Sequence, residues 1–224
     1  MTTLDGLEAL TGPDGRELLA ELRGQDVTGS AGLRLGTRLR RRYPARLVAD
    51  AIGQQELRTR AADKFGRAED MFFTRAGWEQ ASAEVVSAHR RARYRGCATI
   101  ADLCCGIGGD LVALAADAEV VAVDRDPVHL WMARQNARAY GVDHHVETRE
   151  ADVREAELAG VDAVFVDPAR RSGTGRMRVG ESEPPLPWCV ELARTVARVG
   201  VKAAPGVPHE AVPPGWELEF VAVD

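Results

Sequence analysis

The chain has 224 residues, 45% hydrophobic and 28% charged, which suits one α/β domain preceded by a smaller module. It holds no run of about 18 uncharged apolar residues, which argues against a transmembrane helix, and MTTLDGLEAL opens with early acids and no basic-then-apolar leader, so a cytoplasmic protein with no membrane partner is expected. Cys97, Cys104, Cys105 and Cys189 form no C-x-x-C pair, so no metal is expected, and the formal net charge of -5 is uneven: 17 Lys+Arg against 13 Asp+Glu in residues 1–100, then 12 against 21 in 101–224.

Residues 5–11 and 16–23 read as short helices separated by the Gly12-Pro13-Asp14-Gly15 turn, with Leu18, Leu19 and Leu22 on one face of the second. After a loop over 24–32, a basic helix is expected over 33–42. A longer one over 46–64 carries Leu47, Val48, Ala51, Ile52 and Leu57 as its apolar stripe. MFFTRAGW then leads into a helix over 79–93, with Ala83, Val86 and Ala88 expected inside. Arg38, Arg40, Arg41, Arg42, Arg90, Arg91 and Arg93 give this half a basic character that permits RNA contact. Arginine so outnumbers lysine, however, that coding bias accounts for it equally well.

At residue 98 the texture changes. TIADLCCGIGGD is an apolar, β-branched run entering a glycine loop. A helix over 111–116, a strand over 120–124, a helix over 127–140 and strands over 146–152 and 161–167 follow. A helix over 188–199 and strands over 201–204 and 216–224 complete the series. Strand and helix in alternation mean right-handed crossovers and a parallel sheet buried on both faces. The expected division is a helical module over 1–95 and an α/β domain over 96–224. Residues 171–187 form one long, weakly hydrophobic loop, read as an active-site segment.

Open parallel sheets bind nucleotide cofactors beyond the carboxyl ends of their strands. Four places answer to that rule: Asp102 with Gly106 and Gly108, Asp124, Asp152, and Asp167-Pro168-Ala169-Arg170. A dinucleotide fingerprint needs glycine at 111, which is Leu111. Asp102 on the strand before the loop would also repel a pyrophosphate and favour a cation. Asp110 reads either as a further site acid or as an acid favoured by a helix N-terminus.

D-L-C-C-G-I-G-G-D, VVAVD, EADVRE and VFVDPAR resemble motifs I to IV of the class I S-adenosylmethionine-dependent methyltransferases, over roughly residues 98–224. The resemblance implies a Rossmann-like, mostly parallel methyltransferase sheet behind an N-terminal helical module, with S-adenosylmethionine as cofactor. It implies Asp102, Cys104, Gly106 and Gly108 around the methionine moiety, Asp124 on the ribose, Arg125, Asp152 and Val153 near the adenine, and Asp167 where cofactor meets substrate.

Residues 63–93 are similar to the segment that precedes the core in trimethylguanosine synthase-like proteins, which implies Phe73, Thr74 and Trp78 near cofactor or substrate. On packing alone, Phe72, Phe73 and Trp78 are a hydrophobic cluster. The layout as a whole resembles a bacterial group of RNA methyltransferases. Amino-group methylators carry Asp/Asn-Pro-Pro and an aromatic in motif IV; this chain has Asp167-Pro168-Ala169-Arg170-Arg171, whose arginines suit phosphate. Asp167 and the Pro168 carbonyl are the candidate catalytic groups, with Arg170, Arg171, Phe73 and Trp78 toward substrate. The family's seventh, antiparallel strand has no residues left to form it, so a truncated chain is expected. The reading is methyl transfer to RNA or a nucleobase amino group; a scaffold that binds the cofactor but turns over weakly, or a small-molecule methyltransferase, are the alternatives.

Overall fold

The computed structural model describes residues 3–169, 171–172, 175–176, 182–204 and 206–222. The chain packs as two compact units, residues 1–81 and 82–224.

The first unit is helical: α1 (Leu4–Thr11), α2 (Pro13–Leu22), α3 (Gly29–Leu39), α4 (Ala45–Ala61) and α5 (Arg75–Gln80). Thr3 caps α1 through the Gly6 amide, and Pro13 opens α2 at a position where its missing N–H costs nothing. Leu7, Leu10, Leu18, Leu22, Val48 and Ala51 make the core. Gln54, Gln55 and Arg58 of α4 are buried polar residues that its apolar stripe did not anticipate, and two of them hold the chain further on. The Gln54 amide holds both the N–H and the carbonyl of Phe73, at 3.0 and 2.8 Å. Arg58 Nε donates to the Met71 carbonyl at 2.8 Å, and burial lowers its pKa to about 10. They pin the 71–73 segment, whose backbone groups have no helix or strand to satisfy them.

The second unit begins with α6 (Glu84–Ala92) and continues through β1 (Thr99–Leu103), α7 (Leu111–Leu114), β2 (Glu119–Asp124), α8 (Pro127–Tyr140), β3 (Val146–Glu150) and β4 (Ala163–Val166). A small antiparallel pair, β5 (Arg171–Ser172) and β6 (Gly175–Arg176), precedes α9 (Leu186–Glu191) and β7 (Arg198–Val201). The five main strands are all parallel, in the order β3-β2-β1-β4-β7. Ile100, Val120, Ala122, Ala163 and Phe165 pack on one face with residues of α7 and α8. Ala101, Leu103, Val123, Val164 and Val166 pack on the other with Cys189 and Leu192. The chain runs outward from β1 to β3, then returns to β4 on the other side of β1. The switch point of the topology therefore lies between β1 and β4, where such sheets bind ligands.

Three expectations are corrected. The single helix over 79–93 is two, α5 and α6, and α6 buries Ser87 rather than Ala88. Its inner face is polar because Ser87 and Arg90 bind Asp110, as does Ser82 just ahead of the helix, and α6 packs in the same unit as the sheet. The helix over 188–199 ends early, and its last residues already belong to β7. Residues 216–222 form no strand: Glu217 and Glu219 pair with Arg93 and His89, which fasten this segment beside α6. Among the described residues no helix is long and apolar enough to cross a membrane, and no group of His, Cys, Asp or Glu is arranged to hold a metal.

Candidate active site

Side chains alternate across a strand, so Ile100 and Asp102, Ala122 and Asp124, and Phe165 and Asp167 share one face of the sheet. Asp102 is level with Ala122 and Phe165, which places Asp124 and Asp167 two residues further along on either side of it. Three carboxylates therefore ring the carboxyl end of the central strand.

Asp102 is the anomaly. It is 1% exposed, and neither carboxylate oxygen has a hydrogen-bond partner among the described residues. Burial pushes its pKa up to about 7, the charges of Asp167 and Asp124 add to this, and Arg90 and Lys202 oppose it. A buried carboxylate with both oxygens unmatched is costly unless something cationic meets it.

The loop above it adopts left-handed backbone at Cys104 (φ +62°), Gly106 (φ +54°) and Gly108 (φ +83°). At Cys104 this is strain, held because the amides of Cys104 and Cys105 both bond the Val123 carbonyl. Asn136, buried on α8, donates to the Ile107 carbonyl at 2.8 Å and ties the loop from beneath. A Cβ at Gly108 would lie 3.0 Å from the Ala133 backbone in a conformation side chains avoid. Gly108→Ala is therefore expected to cost about 2 kcal/mol and lower the melting temperature by roughly 4–8 °C. An unchanged thermal midpoint would show that the loop does not need this approach. Burial pushes the thiols of Cys104 and Cys105 up and that of Cys189 to about 11, so none is a thiolate nucleophile.

Asp124 accepts from the Gly106 amide at Oδ2 and the Asp126 amide at Oδ1, both at 2.9 Å, and His129 Nδ1 lies 3.6 Å from Oδ2. Burial works to raise its pKa, but His129 and the two amides outweigh it and hold the carboxyl below its ordinary value. It stays an anion, suited to hydroxyl donors. Its neighbour Arg125 is exposed. Asp152 caps a short 3-10 turn through the Arg154 amide and pairs with the Arg154 guanidinium, while Val153 is buried.

Asp167 extends the β1–β4 ladder, its amide donating to the Leu103 carbonyl, and its Oδ2 accepts from Lys202 Nζ at 2.6 Å. Pro168 is buried, and Ala169 forms a two-bond bridge with Glu183. Arg170 lies outside the described residues, and Arg171 is placed only by its backbone in β5. Phe73 is fully buried in the helical unit with its ring 5.8 Å from Phe65, and Trp78 lies under the Lys64 ammonium.

Lys202, His129 and Asn136 escaped sequence reading, and Arg90 was read only as part of a basic surface. Arg90 ion-pairs with Asp110 and lies 4.6 Å over the Phe165 ring, and its charge bears on Asp102 and Asp167. Asp110 is thus a structural anchor rather than a site acid. The basic surface shrinks as well. Arg38 and Arg42 pair with Glu21 and Glu17, and Arg90, Arg91 and Arg93 with Asp110, Asp117 and Glu217. Arg40 and Arg41 remain exposed, with no carboxylate partner among the described residues.

Residues 97–183 match the family described as RNA cap guanine-N2 methyltransferase, and residues 3–61 match a domain of unknown function. An uncharacterized S-adenosylmethionine-dependent methyltransferase of Mycobacterium tuberculosis, in strains CDC 1551 and H37Rv alike, is 38% identical over 168 residues. The match covers 70% of this chain and 44% of the relative, so the chain spans less than half of that protein's length. The crystal structure of a provisionally assigned methyltransferase from Porphyromonas gingivalis W83 superimposes with a TM-score of 0.61 at 24% identity, covering 81% of this chain and 47% of that one. Fold, motifs and relatives point the same way: the parallel-sheet unit is similar to class I S-adenosylmethionine-dependent methyltransferase domains.

Proposed function

We propose that this domain transfers a methyl group from S-adenosylmethionine to an amino nitrogen of an RNA base. The observation that carries the cofactor half is the orphaned Asp102 carboxylate, since a buried acid with two unmatched oxygens fits the cofactor's ammonium group and its cationic sulfur. Asp124 supports the ribose assignment because it is kept ionised at the tip of β2. Gly106 leaves the loop without a Cβ on a side where no protein atom lies within 4 Å, which suits close approach of a ligand. Asp152 and Val153 at the end of β3 are assigned to the adenine, although Asp152 must then share its carboxylate with Arg154.

When bound, the cofactor supplies a methyl group activated by a sulfonium. The protein's part is positioning, because an in-line displacement needs the reacting atoms about 3 to 3.5 Å apart. A neutral amine needs no strong base, only an acceptor to orient it; Asp167 and the Pro168 carbonyl take that role. RNA as substrate is supported by the family description over 97–183 and by the exposed Arg40 and Arg41.

Tritiated methyl from S-adenosylmethionine, offered to total RNA, protein and small metabolites, should enter RNA as an N-methylated base. Label in metabolites, or none despite cofactor binding, would refute the RNA assignment. Asp124→Ala should weaken binding of S-adenosylhomocysteine about 10- to 100-fold, the loss of one or two charge-assisted hydrogen bonds. A calorimetric titration that matches the wild type would remove Asp124 from the cofactor site.

A further inference from the structure

The β4–β7 register pairs Phe165 with Gly200 and Val166 with Val201. The next pair is Asp167 and Lys202, and the Lys202 amide continues the ladder by donating to the Val166 carbonyl at 2.8 Å. Directly opposed residues on neighbouring strands point the same way, so carboxylate and ammonium stand side by side on the site's face. Their side chains are 25% and 15% exposed, so the 2.6 Å contact is shielded and differs from a solvent-screened surface pair. The ammonium engages Oδ2. Oδ1 takes no hydrogen bond from the described residues, and Asp167 is left with one open acceptor oxygen on a side chain that its neighbour immobilises.

From this we infer that Lys202 is a positioning residue for methyl transfer: it tethers one oxygen of Asp167 so that the other is held as the acceptor for the substrate amine. The inference rests on the role proposed for Asp167. Around that carboxylate, Asp102 on β1 and Cys104 in the glycine loop add to the negative or polar side, and Arg90 on α6 to the positive side. Among the described residues, Lys202 is the cation in direct contact. An amine that loses a fixed acceptor still binds but samples unproductive orientations, so the effect belongs in kcat rather than in cofactor affinity.

The chain has only two lysines, Lys64 and Lys202, which makes a direct test practicable. Protein labelled with 15N-lysine should show two side-chain ammonium signals, the Lys202 signal being the one lost in Lys202→Arg. That signal should be slow to exchange with water, and Asp167→Asn should shift and broaden it while leaving Lys64 in place. An ammonium signal indifferent to Asp167→Asn overturns the tether without reference to any substrate.

For turnover on RNA, Lys202→Met should lower kcat about 10- to 100-fold with cofactor Kd unchanged, and Lys202→Arg should recover part of the loss. The double variant Asp167→Asn/Lys202→Met should be no slower than Asp167→Asn alone, because Lys202 acts through Asp167. Additive losses, or a fall in cofactor affinity, overturn the positioning role. If wild-type protein labels no RNA, the substrate assignment fails and the ammonium signal still decides the tether.

Discussion

Asp102→Asn should make the ligand-free protein more stable at pH 8 and yet nearly unable to bind S-adenosylmethionine. The wild-type carboxyl titrates at about 7 in the folded chain, against 3.8 for the exposed group. Between those values the folded state holds a proton that the unfolded state has released, so this group's contribution to stability falls as pH rises from about 4 to 7 and stays at its most unfavourable above 7. The full penalty is a few kcal/mol. Asparagine removes the charge but leaves an amide without partners, so the net gain at pH 8 should be about 1–2 kcal/mol. Urea denaturation at several pH values checks this: the variant should be the less stable near pH 4, should gain on the wild type by the full few kcal/mol as pH rises to about 7, and should keep a constant advantage above that. A variant less stable than the wild type at pH 8, or a difference indifferent to pH, would contradict the assignment.

Binding follows from the same carboxylate. A cation selects the ionised form, so wild-type affinity should rise with pH up to about 7, and binding below that pH should release a proton. Calorimetry in two buffers of different ionisation enthalpy measures that proton directly. Breaking a buried charge pair costs about 3–5 kcal/mol, so Asp102→Asn should weaken binding by at least about a hundredfold. An acid that destabilises the free fold and is indispensable for the ligand is the expected signature of a functional site.

Asp167→Asn should separate chemistry from binding. The amide keeps the shape and one acceptor oxygen but gives up the charge that holds Lys202. Turnover should fall about 10²- to 10³-fold, the range for a positioned proton acceptor, while the Kd of S-adenosylhomocysteine changes by no more than about threefold. Affinity falling in step with turnover would place Asp167 in the cofactor cradle and move the acceptor role to the Pro168 carbonyl. The two substitutions thus probe opposite halves of one face: Asp102 lies deep on β1 with its oxygens unmatched, and Asp167 lies at the tip of β4 with one oxygen engaged.

Reading by sequence succeeded where chemistry is local. The alternation from Ile100 to Asp102, the glycines at 106 and 108, and the acids ending VVAVD and VFVD were legible because strand periodicity and glycine turns are encoded within a few residues. It failed where a residue's role depends on a distant partner. Nothing near Asp110 says that Ser82, Ser87 and Arg90 will converge on it, so one helix was expected where α5 and α6 lie. Likewise WELEFVAVD has a strand's alternation, but its glutamates find Arg93 and His89 instead of a sheet edge.

By itself the sequence determined four of the five main strands and where their carboxylates stand, since each follows from short-range pattern. Only the tertiary structure decided that Asp102 is buried unpaired, that Lys202 clasps Asp167, and that five of the seven arginines read as an RNA surface already face carboxylates. Pairing and desolvation are properties of what is brought together in space, and strand register and helix packing set those distances across gaps of tens of residues.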